Sequence, residues 1–62
     1  MERKFVGNFA ISTVKYGNVF ETSVLDKYGR IVKAYSDFTF ENAKSTFNHF
    51  VYVFSKANGK GV

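Results

Sequence analysis

Five phenylalanines fall between Phe38 and Phe54, and from Phe40 onward they recur at helical spacing. A chain of 62 residues can bury little apolar surface, and aromatic rings bury the most per residue. The stretch therefore predicts a C-terminal helix, about residues 40–57, with one core-facing side. At about 100° per residue, that side carries Phe40, Ala43, Phe47, Phe50, Val51 and Phe54.

Both ends of this helix have local signals. Thr39 is a candidate N-cap, and Asn58-Gly59 is a candidate stop, so residues 59–62 are expected to form a flexible tail. An alternative interpretation makes residues 48–55 a fourth strand, because the apolar side chains there also alternate. The stripe is unbroken from its first phenylalanine, which favours a helix.

Two glycine-containing turns divide the first half of the chain into strands. Gly17-Asn18 lies between two runs rich in β-branched and aromatic residues, which predicts a two-residue hairpin turn. A second turn begins at Asp26 and ends at Gly29. This sequence predicts a three-residue hairpin loop with a bulge. The sequence thus predicts a single α+β domain over residues 1–62: a three-stranded antiparallel meander packed on one C-terminal helix, in two layers. The expected strands span about residues 4–16, 19–26 and 30–36.

Turn geometry sets the register of the strands and therefore their faces. If Tyr16 pairs with Val19 and Asp26 with Arg30, then Val24 lies opposite Val32. The side expected to receive the helix then carries Phe5, Phe9, Ile11, Phe20, Thr22, Val24, Val32 and Ala34.

The opposite side of the sheet is expected to mix small residues with apolar and aromatic ones. A solvated face would be polar throughout, so this composition indicates a contact surface. The candidate partner-binding residues on it are Val14, Tyr16, Val19, Leu25, Ile31, Lys33 and Tyr35. Tyr52 and Val53 point away from the core stripe of the helix and form a second candidate site. The expected partner is another protein or a second copy of the chain.

Several chemistries find no support in the sequence. There is no cysteine, and His49 is the only histidine, so neither thiolate zinc sites nor imidazole clusters are available. The carboxylates lack EF-hand spacing, and the glycines match neither a phosphate loop nor a dinucleotide fingerprint. Ser45 could touch His49 on the helix, but the pair lacks an orienting third group. The sequence predicts no metal, no cofactor, no small-molecule substrate and no enzymatic activity.

The N-terminal residues are basic but lack the apolar run of a signal peptide. The longest apolar run, Phe50–Phe54, is far shorter than the ~20 residues that cross a bilayer. We therefore expect a cytoplasmic protein without membrane contact.

Nucleic acid is the alternative partner, because the formal net charge is +4. The hairpin, the Gly29-Arg30 turn, the third strand and Thr39–Ala43 opening the helix resemble the arm-binding domain of tyrosine recombinases and the plant AP2 domain, over residues 16–54. That resemblance implies DNA binding by the sheet side opposite the helix, through several arginines and lysines. Here that side is expected to offer only Lys33. The alternative contact residues are Lys15, Lys27, Arg30, Lys33 and Tyr35.

Diffuse charge and an apolar sheet face together favour a small non-enzymatic protein-binding module over a nucleic-acid binder. Short, basic, cysteine-free domains are often accessory proteins of phages or mobile elements, such as inhibitors, antitoxins or regulators. This last association is one of size and composition, so it predicts a class of protein without naming a partner.

Overall fold

The computed structural model describes residues 2–59, and the side chains of residues 2–57. The chain forms a four-stranded antiparallel sheet, in the order β1-β2-β3-β4, packed on one C-terminal helix. The α+β architecture and the helix are confirmed, whereas the predicted count of three strands is wrong. Beyond Gly59, the predicted flexible tail lies outside the described residues. The elements are β1 (Glu2–Val6), β2 (Phe9–Tyr16), β3 (Val19–Leu25), β4 (Ile31–Asp37) and α1 (Phe40–Gly59).

The additional strand arises because a turn at Gly7 divides the predicted first strand. Gly7 has a φ of 58°, close to the 60° of Gly17, and each glycine is followed by an asparagine with negative φ. Glycine with positive φ at the first central position is the mark of a tight hairpin turn. The same dipeptide thus makes two hairpins, in which Val6 pairs with Phe9 and Tyr16 with Val19.

A bulge in β4 changes the predicted faces. Leu25 pairs with Ile31 but Val24 pairs with Lys33, so Val32 is an extra residue in the ladder. An extra residue inverts the sidedness of everything after it. The expected pair of Val24 with Val32 is therefore wrong. Consequently Lys33, Tyr35 and Asp37 lie on the side of the sheet that faces α1, whereas Ala34 lies on the opposite side.

Phe5 is a second correction to the predicted core. Because β1 is a separate strand, Phe5 pairs with Ala10, whereas Lys4 pairs with the fully buried Ile11. Phe5 consequently lies on the side away from α1 and is 70% exposed. Its neighbour Val6 is the β1 residue that enters the core.

The core lies between the sheet and the aromatic side of α1, as the stripe predicts. It consists of Val6, Ile11, Val24, Phe47 and Phe50, with Phe9, Val51 and Phe54 packed against it. The rings of Phe9 and Phe54 meet edge-on, with centroids 4.9 Å apart. Phe40 differs from the rest of the stripe, because it is 47% exposed and meets Phe20 at the margin of the sheet, 6.2 Å between centroids.

Two hydrogen bonds satisfy the polar side chains that this packing buries. The hydroxyls of Thr13 and Thr22 are 2.8 Å apart across β2 and β3. Thr46 of α1 donates to Oδ2 of Asp37, 2.8 Å away, and so links the helix to β4. Within residues 2–57, no buried side-chain nitrogen or oxygen is left without a partner, as expected for a well-packed small domain.

Candidate interaction surfaces

The side of the sheet away from α1, here called the free face, carries an apolar row that crosses all four strands. Register places Phe5, Ala10, Leu25 and Ile31 side by side. The two bulky residues at its ends are open to solvent, Phe5 at 70% and Ile31 at 68% exposure. Apolar side chains held in one row by a ladder form a continuous surface rather than scattered exposed residues.

A row of small residues lies beside the apolar row. Ser12, Ser23 and Ala34 are aligned across β2, β3 and β4. Beyond them come Val14 and then the pair Tyr16 and Val19, which make the far side bulky again. On the free face, a row of small residues therefore lies between rows of larger, mostly apolar ones.

Charge is sparse on the free face. Within the described chain, its charged residues are Arg3 of β1, opposite Ser12, and Glu21 of β3, opposite Val14. Charged groups must lose water when a surface is covered, and the centres of protein interfaces are depleted in them. The composition of the free face matches that depletion.

The structure brings together five of the predicted partner-binding residues and separates four. Those on the free face are Val14, Tyr16, Val19, Leu25 and Ile31. The bulge moves Lys33 and Tyr35 to the other side, and Tyr52 and Val53 lie exposed on α1. The ammonium of Lys56 lies 5.6 Å from the Tyr52 ring centroid. The candidate site on the helix is thus separate from the free face.

Phe5 is the bulky free-face residue that the sequence assigned to the core; Ala34 is a small one. The signal that locates Phe5 is the Gly-Asn pair at residues 7–8, which has the same composition as the recognised turn at 17–18. Applying the hairpin rule there would have divided the first strand and turned Phe5 outward.

A cleft of about 500 Å³ lies between β4 and α1. Its β4 wall is Tyr35 and Asp37, and its helix wall is Asn42, Ser45, Thr46, His49 and Phe50. Among the described residues, the only hydrogen bond between side chains of this lining is the one from Thr46 to Asp37. Ser45 and His49 are both exposed there, without a hydrogen bond between them.

The loop between β3 and β4 holds an exposed ring, Tyr28, that the sequence did not single out. Oδ1 of Asp26 accepts hydrogen bonds from the backbone N–H groups of Tyr28 and Arg30, and its Oδ2 accepts one from Nε of Arg30, each 2.9 Å. Tyr28 is 69% exposed, with Arg30 Cζ 4.9 Å and Lys27 Nζ 5.3 Å from its ring centroid. Hydrogen bonding from the Arg30 backbone N–H, above all, lowers the pKa of Asp26.

The residues of the nucleic-acid alternative are spread over the molecule. Lys27 and Arg30 share the β3–β4 loop, whereas Lys15 lies near the opposite end of the sheet, its ammonium 5.7 Å from the Phe20 ring centroid. Lys33 and Tyr35 face the α1 side of β4. The free face therefore lacks the lysine that the sequence analysis placed there.

Residues 2–59 contain no group of three histidine, cysteine or carboxylate side chains arranged to hold a metal ion. Over the same range, no helix combines the length and the apolarity needed to cross a membrane. No protein-family model, curated protein or solved structure matches the chain.

Proposed function

We propose that this chain is a non-enzymatic protein-binding module and that the free face is its contact surface. The observation that carries the proposal is the row from Phe5 to Ile31, which lines up apolar side chains across four strands and leaves both ends open to solvent. Burying such side chains in a complex is favourable by about 25 cal/mol for each Å² of apolar surface removed from water.

The shape of the free face favours a protein over a small molecule. Small-molecule sites are concave and enclose most of their ligand, whereas four strands spaced ~4.8 Å apart make a broad, shallow surface. A partner helix or sheet can lie along the small residues at Ser12, Ser23 and Ala34 and contact the bulky side chains on both sides. Aromatic side chains that become fully covered dominate the affinity of such interfaces.

Two exposed phenylalanines provide a matched test. Phe5 lies on the free face at 70% exposure, and Phe38 lies between β4 and α1 at 76% exposure. The wild-type chain, Phe5→Ser and Phe38→Ser are immobilised, and proteins captured from a lysate of the source cells are identified. The captured partner is then purified, and its affinity for each variant is measured by calorimetry.

We expect Phe5→Ser to weaken binding by about tenfold or more and Phe38→Ser to change it about threefold at most. Circular dichroism verifies that both variants are folded. Equal affinity for all three proteins, or equal loss in both variants, would show that the free face is not the contact surface.

Nucleic acid is a second candidate, and the β3–β4 loop is the observation that favours it. The Tyr28 ring lies beside Lys27 and Arg30, and an aromatic ring among cations can stack on an unpaired base. Affinity for a fluorescent single-stranded oligonucleotide is measured against salt for wild type, Lys27→Ala and the control Lys44→Ala. The slope of log K against log salt is negative, and loss of one phosphate contact makes it less steep by ~0.7. We expect this change in Lys27→Ala and not in Lys44→Ala. Similar slopes for all three proteins would remove this candidate.

A further inference from the structure

The two edges of the sheet differ in how well they are protected from another strand. Strand β1 carries Glu2, Arg3 and Lys4 among its five residues, and charged side chains are a common means of blocking an edge. Strand β4 carries only two charged side chains among its seven residues, Lys33 and Asp37. Ile31 and Val32 precede them, and Ala34 and Tyr35 lie between them. Both strands are edges in the order β1-β2-β3-β4. Because β4 carries fewer charges, it is the edge that is less protected from another strand.

The regular part of β4 has a self-complementary charge pattern. The bulge at Val32 limits it on one side, and α1 begins at Phe40 on the other, which leaves Lys33–Asp37 as the continuous segment. Along the α1 side of the sheet this segment reads cation, aromatic, anion at alternate positions. An antiparallel pair of such segments centred on Tyr35 places each lysine opposite an aspartate.

We propose that β4 pairs with β4 of a second copy of this chain, antiparallel and with Tyr35 on the two-fold axis. Lys33 of each chain then lies opposite Asp37 of the other, the two Tyr35 rings are adjacent, and Ala34 lies opposite Ser36. Two-fold symmetry repeats the Lys33–Asp37 and Ala34–Ser36 contacts, whereas the contact between the two Tyr35 rings lies on the axis and occurs once.

The alternative registers are less favourable. Centring the pair on Lys33 sets two ammonium groups against each other, and directly opposed like charges are destabilising. Centring it on Ala34 places Lys33 opposite Tyr35 but leaves Asp37 opposite the apolar Ile31. Of these three registers, the Tyr35 register is the only one that pairs both charges.

The residues involved are available in the single chain. Among residues 2–57 the only salt bridge joins Arg30 to Asp26, so neither Lys33 nor Asp37 has an ionic partner. Asp37 is 8% exposed and uses Oδ2 to accept from Thr46, whereas Oδ1 receives no hydrogen bond within the described chain and keeps some contact with solvent. The cleft of about 500 Å³ beside β4 gives the second Tyr35 ring room next to α1.

Pairing at β4 does not depend on partner binding by the free face. Directly opposed residues of paired strands point to the same side of a sheet. Pairing at β4 would therefore place the two free faces side by side on one eight-stranded sheet. The dimer would present twice the surface of one chain.

The test measures dimerisation by sedimentation equilibrium for wild type, Lys33→Asp and Lys4→Asp, over a concentration range of roughly three orders of magnitude. Lys33→Asp places carboxylates opposite both Asp37 side chains and should raise the dissociation constant at least about tenfold. Lys4→Asp makes the same charge change on the same side of the sheet, at the β1 edge, and should leave it within about twofold.

Two further variants complete the test. Asp37→Asn keeps an acceptor for Thr46 but removes the charge, and should weaken the dimer while the chain stays folded. A mixture of Lys33→Asp with a folded Asp37→Lys variant restores both charge pairs, so the heterodimer should form more tightly than the homodimer of either variant. A wild-type chain that is monomeric throughout, or equal weakening by Lys33→Asp and Lys4→Asp, would overturn the inference. So would a dimer that survives Lys33→Asp and is lost in Phe5→Ser, which would instead assign self-association to the free face.

Discussion

At the residue scale, the Thr13–Thr22 pair illustrates why a small core tolerates polar atoms only in pairs. Thr13 is 3% exposed and Thr22 is fully buried, and their hydroxyls are 2.8 Å apart. Each hydroxyl satisfies the other, so the pair costs little as long as both are present. The two β-branched side chains also suit the pleated strands that carry them.

The Thr13–Thr22 pair leads to a prediction about stability. Thr22→Val keeps the shape but leaves the Thr13 hydroxyl buried without a partner, which should lower the free energy of unfolding by about 1–3 kcal/mol. The double variant Thr13→Val/Thr22→Val removes both hydroxyls and should lie within about 1 kcal/mol of wild type. Urea denaturation of wild type, Thr13→Val, Thr22→Val and the double variant completes the cycle. Losses in the two single variants that simply add in the double variant would contradict the role given to the hydrogen bond.

Asp26 adds a pH dependence at the same scale. Hydrogen bonds from Arg30 and Tyr28 hold its pKa below the usual value of 3.8, so the ionised form stabilises the folded chain. For a lowered pKa this stabilisation is complete well above the unfolded pKa, and it is lost as pH falls from there through the lower pKa of the folded chain. We therefore expect Asp26→Asn to have a lower urea midpoint than wild type at pH ~7. The gap should narrow as pH falls from ~5 to below ~3.

The Asp26 comparison needs a reference, because other carboxylates also titrate in this range. Glu41→Gln changes an exposed carboxylate in the first turn of α1 and corrects for the general effect of charge. A gap between wild type and Asp26→Asn that stays constant across the pH series would contradict the assigned role of the Asp26 carboxylate.

At the element scale, the N-terminus of α1 is fixed by a side chain that the sequence identifies. Oγ1 of Thr39 accepts a hydrogen bond from the backbone N–H of Asn42, 3.2 Å away, as an N-cap does. Thr39→Ala should lower the free energy of unfolding by about 0.5–2 kcal/mol, whereas Thr39→Ser keeps the acceptor and should change it by a few tenths. Thermal denaturation followed by circular dichroism measures both. Equal losses in the two variants would show that the hydroxyl is not the capping group.

The sequence predicts those helices, strands and turns whose signals are local, and it misses the features that depend on packing between elements. The helix and the two hairpins around β3 follow from local periodicity and turn residues. The bulge at Val32 does not, because it depends on how β4 packs against β3 and α1, and no glycine or proline marks it. That one extra residue misplaced Lys33 and Tyr35. Part of the candidate site was therefore predicted correctly, and part was assigned to the wrong side of the sheet.

At the scale of the whole molecule, the apolar material is divided between the core and the surface. The core contains Ile11 and Val24 with Phe47 and Phe50 of α1, yet Phe5 and Ile31 remain outside it on a chain that is short of apolar surface. A domain of this size buries only about 60% of the surface of its unfolded chain, so additional burial in a complex is a direct way to gain stability. Both the free face and the β4 edge offer that burial.

If the chains pair at β4, stability must depend on protein concentration, because unfolding also separates the two copies. Each tenfold rise in concentration then adds about 1.4 kcal/mol per dimer, or ~0.7 kcal/mol per chain. For a domain of this size the midpoint of thermal unfolding should rise by about 3–5 °C per tenfold. Calorimetry across a dilution series measures the effect in wild type, and Lys33→Asp supplies the comparison, since its weaker dimer should show a smaller dependence of the midpoint on concentration over the same range. A wild-type midpoint that does not change with concentration, or one that changes equally in Lys33→Asp, would contradict pairing at β4.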